Sequence, residues 1–349
     1  LSESPLIEPR LNPHLFGHAA ALAAIQDLDA RRRLAHGWML TGAPGIGKAT
    51  AAYHIARLLL AIGGGDVQDP AHPVFRMVAA NAHPDLKVIT RETAKSGRLR
   101  TEIVVDQIRE VGASFRTTAA IARHRVLLID AADELNTEAA NALLKLLEEP
   151  PPDVVILLVV QRPGRLPRTL ASRCAIMRLK PLDAPAMAEA LATLLPGLND
   201  EDLARLSLLA EGSPGRVLRL HATGWLADYQ ALLQIFGASS DSDRLFAFAE
   251  ILQRRVQAHG LEQGLDPLTT LLRRAATLHA TPDMPLLSPE EAPALSTLAA
   301  RGLDPLLASW DSLRIQALRI EALNLDALQS FLLLADALLP PGRPLPQAG

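Results

Sequence analysis

Nine residues constrain this chain more than any others: 42–50, GAPGIGKAT. They fit the phosphate-cradling pattern GxxxxGK[ST] everywhere but at its last position. Gly42, Gly45 and Gly47 let backbone N–H groups turn inward around a phosphate. Lys48 reaches the outer phosphates, and the helix that follows points its positive end at the anion. The last position should carry a hydroxyl for Mg²⁺, and it is Ala49. Thr50 comes one residue later, about 100° further round a helix, so its hydroxyl does not simply stand in. Apolar Trp38, Met39 and Leu40 precede the glycines, and Ala51, Ala52, Ile55, Ala56, Leu58 and Leu59 follow at helical spacing. That supplies the strand, loop and helix such a cradle needs. The loop is built to hold a nucleotide and poorly built to hydrolyse it, and its residues leave ATP, ADP and an empty cradle all open.

A second apolar run, residues 126–129, ends in Asp130. Val, Leu and Ile without alternation read as a strand buried on both faces of a parallel sheet, and ligands bind such sheets at the carboxyl ends of their strands. Asp130 therefore stands where a nucleotide fold places its Mg²⁺-binding acid. A helix is predicted over 137–149, with Ala140, Leu143, Leu144 and Leu147 on its core face, and Pro150, Pro151 and Pro152 stop it. Another buried strand, 154–160, comes next. Further helices are predicted at 18–34 and from 104, a short strand at 86–90, and a Pro-interrupted strap over 1–16. The region 66–101 reads as loop-rich. Alternating strands and helices give a doubly wound α/β domain over 1–180. Beyond it the pattern is helical only: 184–195, 200–210 and 214–221, then longer amphipathic helices from 226 to 339. The tail 341–349 is too rich in Pro and Gly to pack and is expected to be disordered.

Net charge is −3, so the whole chain is not a basic nucleic-acid coat. The single cysteine, Cys174, excludes a disulfide framework. His72 and His83 precede prolines eleven residues apart without partners at ligand spacing, and no metal site is expected. No signal peptide is evident, and the longest apolar run, 154–160, is far too short to span a bilayer. A cytoplasmic protein with no membrane contact is expected.

The ordered motifs GAPGIGKA, VLLIDAADELNTEAANALLKLLEEPP, LPRTLASRC and GSPGR resemble the AAA+ clamp-loader subunits of bacterial DNA polymerase III, most closely their delta-prime branch. The resemblance covers about 12–220 and extends weakly to residues 324–326. It implies an AAA+ RecA-like P-loop domain (1–180), a small helical lid (181–222) and an all-α collar domain (223–340) that assembles a five-subunit ring. It also implies partners: the gamma/tau motor and delta subunits and, through the complex, the sliding clamp and primer-template DNA. In this resemblance Gly42, Gly45, Gly47, Lys48, Ala49 and Thr50 form the nucleotide loop, and Asp130 is the metal-binding acid. Arg216 is the lid arginine that senses the γ-phosphate. Arg173, in Ser172-Arg173-Cys174, is the arginine presented to nucleotide held by a neighbouring subunit. Such an arginine acts by stabilising transferring phosphoryl charge.

Departures from hydrolysing members sharpen the expectation. Ala131 follows Asp130 where those members carry the Glu that positions water. Asp133 and Glu134 lie beyond the strand, and Gln161 is a loose match to a polar sensor. The four-Cys zinc module of the delta-prime branch has no counterpart after the phosphate-loop helix. The expectation is a stator that does not hydrolyse ATP itself and works through Arg173. One alternative is an active AAA+ ATPase using Thr50 or water on Mg²⁺ and Asp133 or Glu134 as base. Another is a DNA-binding module using the basic stretch 91–100 with Arg123 and Arg125.

Overall fold

The apolar runs on either side of the glycine-rich loop become neighbouring strands of one sheet. The computed structural model describes residues 7–93, 100–115, 119–237, 243–323 and 325–339. The heart of the basic stretch (94–99), Asn324 and the tail 341–349 lie outside the described residues. Strands β1 (Gly37–Thr41), β2 (Leu86–Ile89), β3 (Arg125–Asp130), β4 (Val154–Val159) and β5 (Ala175–Arg178) pair in parallel in the order β2-β3-β4-β1-β5. In the register Leu40 and Asp130 both lie beside Val159, so β1, β4 and β3 end together.

The side-chain period of two divides the strands between two cores. Trp38, Leu40, Val126, Leu128, Val155 and Leu157 pack under α1 (Ala19–Ala30), α2 (Lys48–Leu59) and α3 (Pro73–Ala79). Met39, Leu127, Ile129, Ile156 and Leu158 pack under α4 (Val105–Ser114), α5 (Thr137–Glu148) and α6 (Arg168–Ala171). This is the AAA+ RecA-like P-loop architecture that the motif order implies.

Three of the elements named above escape the sequence reading: α3, β5 and the short α6. The loop-rich stretch contains α3, started by Pro73 at its first position and capped by the His72 ring, whose Nδ1 accepts from the Val74 N–H at 3.1 Å. Strand β5 is four residues long and lies at the sheet edge with Ile176 exposed, so it lacks the unbroken apolar run of a central strand. The helix predicted over 18–34 ends at Ala30.

Contacts divide the chain into two compact units: residues 1–198 with 209–219, and 199–208 with 220–349. The first adds α7 (Ala184–Leu194) to the sheet domain. Helix α8 (Asp200–Ala210) belongs mostly to the second unit and α9 (Pro214–Ala222) mostly to the first, so residues 181–222 are shared between them.

The second unit continues with α10 (Trp225–Gly237), α11 (Asp243–Gly264, bent at Gly260), α12 (Asp266–Ala280), α13 (Glu291–Ala299), α14 (Leu303–Leu323) and α15 (Ala327–Leu338). A fully buried carboxylate organises part of its core. Glu291 accepts from Tyr229 Oη (2.5 Å), from Arg274 Nε (2.5 Å) and Nη2 (2.7 Å), and from the Leu287 N–H (2.7 Å). Burial and this carboxylate push the Tyr229 hydroxyl well above its ordinary value. Among the described residues no helix is long and apolar enough to cross a membrane.

Candidate functional site

The glycine-rich loop leaves β1 at Thr41 and enters α2 at Lys48. Its turn requires glycine at Gly42: φ is +148°, and a Cβ there would stand 2.4 Å from the Leu179 carbonyl oxygen. Lys48 is 3% exposed and donates its ammonium to the carbonyls of Gly42 and Ala43, both at 2.9 Å. Burial pulls its pKa down, opposed by the nearby Asp133 and Asp130 carboxylates.

The loop opens onto a cleft of about 280 Å³. Gly45, Gly47, Lys48, Ala49 and Thr50 form its floor, and Gln161 reaches it from the end of β4. Leu194, Leu218 and Arg219 close one side, and Pro9, Asn12, His14, Leu15 and Phe16 close another. That second wall is the N-terminal strap, and it is stapled to α2. Arg57, fully buried, donates to the carbonyls of Arg10 (3.1 Å) and Asn12 (2.9 Å) and to Gln68 Oε1 (2.7 Å), with its guanidinium 4.5 Å from the Phe75 ring centre. His54 Nε2 meets the same Asn12 carbonyl at 3.1 Å, and burial and the Arg57 charge pull its pKa down to about 4.

The turn before α9 is docked on the loop. The Gly215 N–H donates to the Gly45 carbonyl (2.9 Å), and Ser213 Oγ donates to that of Pro44 (2.8 Å). A Cβ on Gly215 would come within 2.8 Å of Gly45 O, so this approach needs glycine. Arg216 does not line the cleft, although its backbone N stands 3.0 Å from where a Cβ on Gly45 would sit. Leu218 and Arg219, three and four residues on from Gly215 and so on the same side of the helix, line the cleft. Arg219 is the arginine that faces Lys48 across the cleft and opposes its charge.

At the end of β3, burial and the neighbouring Glu134 carboxylate raise the Asp130 pKa, while Lys48 opposes the shift. Neither substitute base is free. Asp133 accepts the backbone N–H groups of Gln161 (2.8 Å) and Arg162 (3.1 Å), tying the ends of β3 and β4 together. Glu134 pairs with Arg91 at 2.7 Å. Both carboxylates sit in the short 3₁₀ turn Ala132–Glu134, past the strand.

Arg173 stands at the other end of the sheet, just before β5 begins. Its carbonyl lies beside Gly37, the first residue of β1. The five-residue strand β1, about 13 Å from end to end, separates that point from the glycine-rich loop. Its side chain is 38% exposed. Nη2 pairs with Glu148 Oε1 at 2.7 Å, and Nη1 donates to the Thr169 carbonyl at 2.9 Å.

A family model described as "DNA polymerase III, delta subunit" matches residues 17–183. The delta' subunit of DNA polymerase III from Pseudomonas aeruginosa is 38% identical over 201 residues, 56% of this chain and 59% of that protein. The delta' subunit from Escherichia coli is 30% identical over 241 residues, 64% of this chain and 70% of that protein. The chain belongs to the delta-prime family of DNA polymerase III subunits. The tau subunit from Escherichia coli is also similar, 31% identical over 216 residues, 59% of this chain and 31% of that protein. The match thus spans less than two thirds of the Pseudomonas delta' subunit's length and just over two thirds of the Escherichia coli one.

In this delta-prime family member the structure gathers Gly45, Gly47, Lys48, Ala49, Thr50 and Gln161 at one cleft, with Gly42 holding the turn beneath it. Arg216 is left outside that cleft, and Arg173 lies at the far end of the sheet. Arg125, considered above for DNA contact, is 6% exposed. It donates to the carbonyls of Phe115 (2.6 Å) and Pro152 (2.9 Å), so it is a structural residue. Arg123 pairs with Asp29 at 3.5 Å. His72 and His83 each accept a backbone N–H two residues on. Among the described residues no group of three or more His, Cys, Asp or Glu is placed to hold a metal ion.

The sequence reading missed Arg57 and Arg219. A lone Arg inside an apolar helix face marks the first, and the i+4 spacing from Gly215 marks the second.

Proposed function

We propose that this chain is a stator of the DNA polymerase III clamp loader. In that role it occupies a ring position beside a gamma/tau motor subunit and near the delta subunit. It places Arg173 at the motor's ATP, while its own loop holds ATP or ADP without hydrolysing it. The complex then loads the sliding clamp on primed DNA.

The observation that carries this reading is the separation of the two ends of the sheet. Arg173 is exposed just before β5, a strand's length from this chain's own loop, and that placement supports a role at another subunit's phosphates. At the loop end, Ala49 offers no hydroxyl and Ala131 no carboxylate, while Asp133 and Glu134 are both engaged. Asp130 remains as an acid near the loop but has no companion base. If nucleotide binds, Lys48 and the backbone N–H groups of the loop hold its phosphates, and the strap covers its other side.

The test uses the purified chain and its assembly. The isolated chain should show no ATP turnover above background, before or after Lys48→Ala. Mixed with the motor and delta subunits, it should co-elute with them. Turnover by the isolated chain that Lys48→Ala abolishes would instead establish the active-ATPase alternative.

A further inference from the structure

The carboxylate on Arg173 has a use in the trans-arginine reading above, on which the following inference rests. Glu148 is the last residue of α5, where the helix carries its partial negative charge and an acidic side chain is electrostatically disfavoured. Helix stability therefore does not account for a carboxylate at this position. Its Oε1 instead receives Arg173 Nη2 at 2.7 Å, while Nη1 donates to the Thr169 carbonyl at 2.9 Å. Two anchors on different nitrogens of one planar fork fix both its place and its plane, and three of its five N–H groups remain for an incoming anion.

The platform beneath this fork is itself held. His36 Nε2 meets the Leu147 carbonyl at 3.0 Å, tying the last turn of α5 to the start of β1. Gly37 then admits the close approach of that turn and of the Ser172-Arg173-Cys174 segment. A Cβ on Gly37 would stand 2.7 Å from Leu147 Cδ2 and 3.2 Å from Cys174 Sγ. The chain thus builds a seat for a guanidinium that its own loop cannot use.

We propose that Glu148 is a positioning residue: its carboxylate holds the Arg173 guanidinium in the orientation in which a neighbouring subunit's nucleoside triphosphate meets it. Both side chains are more than a third exposed, so the pair contributes little to the stability of the chain. Its effect lies in pre-organisation, because a long arginine side chain otherwise loses rotamer freedom when it engages the triphosphate.

The experiment uses the loader assembled from this chain with its motor and delta subunits, and follows ATP hydrolysis against ATP concentration. Glu148→Gln keeps the size and removes the charge. It should lose at least about half of the kcat that Arg173→Ala loses, with KM within about twofold. In the Arg173→Ala background it should cause no further loss, which a purely structural role would not predict. Two results overturn the proposal. One is wild-type turnover by Glu148→Gln in a loader that Arg173→Ala does impair. The other is an equal loss from Glu148→Gln with and without Arg173. Wild-type turnover by Arg173→Ala itself overturns instead the reading underneath.

Discussion

The two ends of the parallel sheet carry opposite kinds of chemistry. At the carboxyl end sit a cradle, a lysine and an acid, but the hydroxyl and the catalytic carboxylate are replaced by Ala49 and Ala131. The loop there is closed inward: Lys48 bonds to carbonyls of its own loop, and Gly215 and Ser213 bond to the loop's crest. At the amino end sits Arg173, exposed and anchored at two nitrogens. On the function proposed above, a nucleotide fold keeps its loop as architecture and moves its chemistry to the opposite edge. Variants at the loop end should be read in the stability of this chain, and variants at the arginine end in the turnover of a neighbour.

The largest loss of stability is expected from Arg57→Ala. It removes a buried cation that joins two strap carbonyls, Gln68 and Phe75, and should cost about 3–5 kcal/mol in urea unfolding. A loss well under 1 kcal/mol would mean that the strap is not stapled there.

Next comes pH. The folded His54 pKa, about 4, lies below the 6.5 of the unfolded chain, so the fold favours the neutral ring. That contribution is fully present above about pH 6.5 and is lost as pH falls toward 4. It amounts to about 3 kcal/mol as an order of magnitude for a ring this buried. Unfolding midpoints measured between pH 7 and 4 should therefore fall, and His54→Gln should flatten the dependence. An unchanged slope in the variant would remove His54 as its cause.

A smaller effect is expected at the crest of the loop. Gly215→Ala puts a Cβ 2.8 Å from the Gly45 carbonyl oxygen and should cost about 1–3 kcal/mol in the same unfolding measurement. If it costs nothing, the contact between the α9 turn and the loop is loose, and the loop end is less closed than the comparison holds.

Much of this arrangement can be read from the sequence because it is local. The cradle glycines, the strand ending in Asp130 and the helix ended by three prolines follow from backbone sterics and from apolar runs. The losses at Ala49 and Ala131 are visible as single letters. The Arg173 segment needed the family resemblance, since an arginine between Ser and Cys has no periodicity of its own.

What was not legible depends on tertiary placement. Arg125 reads as a surface cation until Phe115 and Pro152 are seen around it. Arg216 and Arg219 differ by less than one helical turn, and only the docking of Gly215 on Gly45 decides which of them faces the cleft. Strand β5 carries too few residues to declare itself, although it is the element that sets Arg173 at the sheet's edge.

The central claim is that this chain acts on a neighbour's nucleotide and not on its own. Its most direct test is ATP hydrolysis at the motor site next to this subunit, in a loader assembled with Arg173→Ala and working on clamp and primed DNA. Loss of an arginine supplied in trans should lower turnover at that site on the order of 10³-fold or more, with the folding of this chain unchanged. Turnover at the wild-type rate would contradict the account.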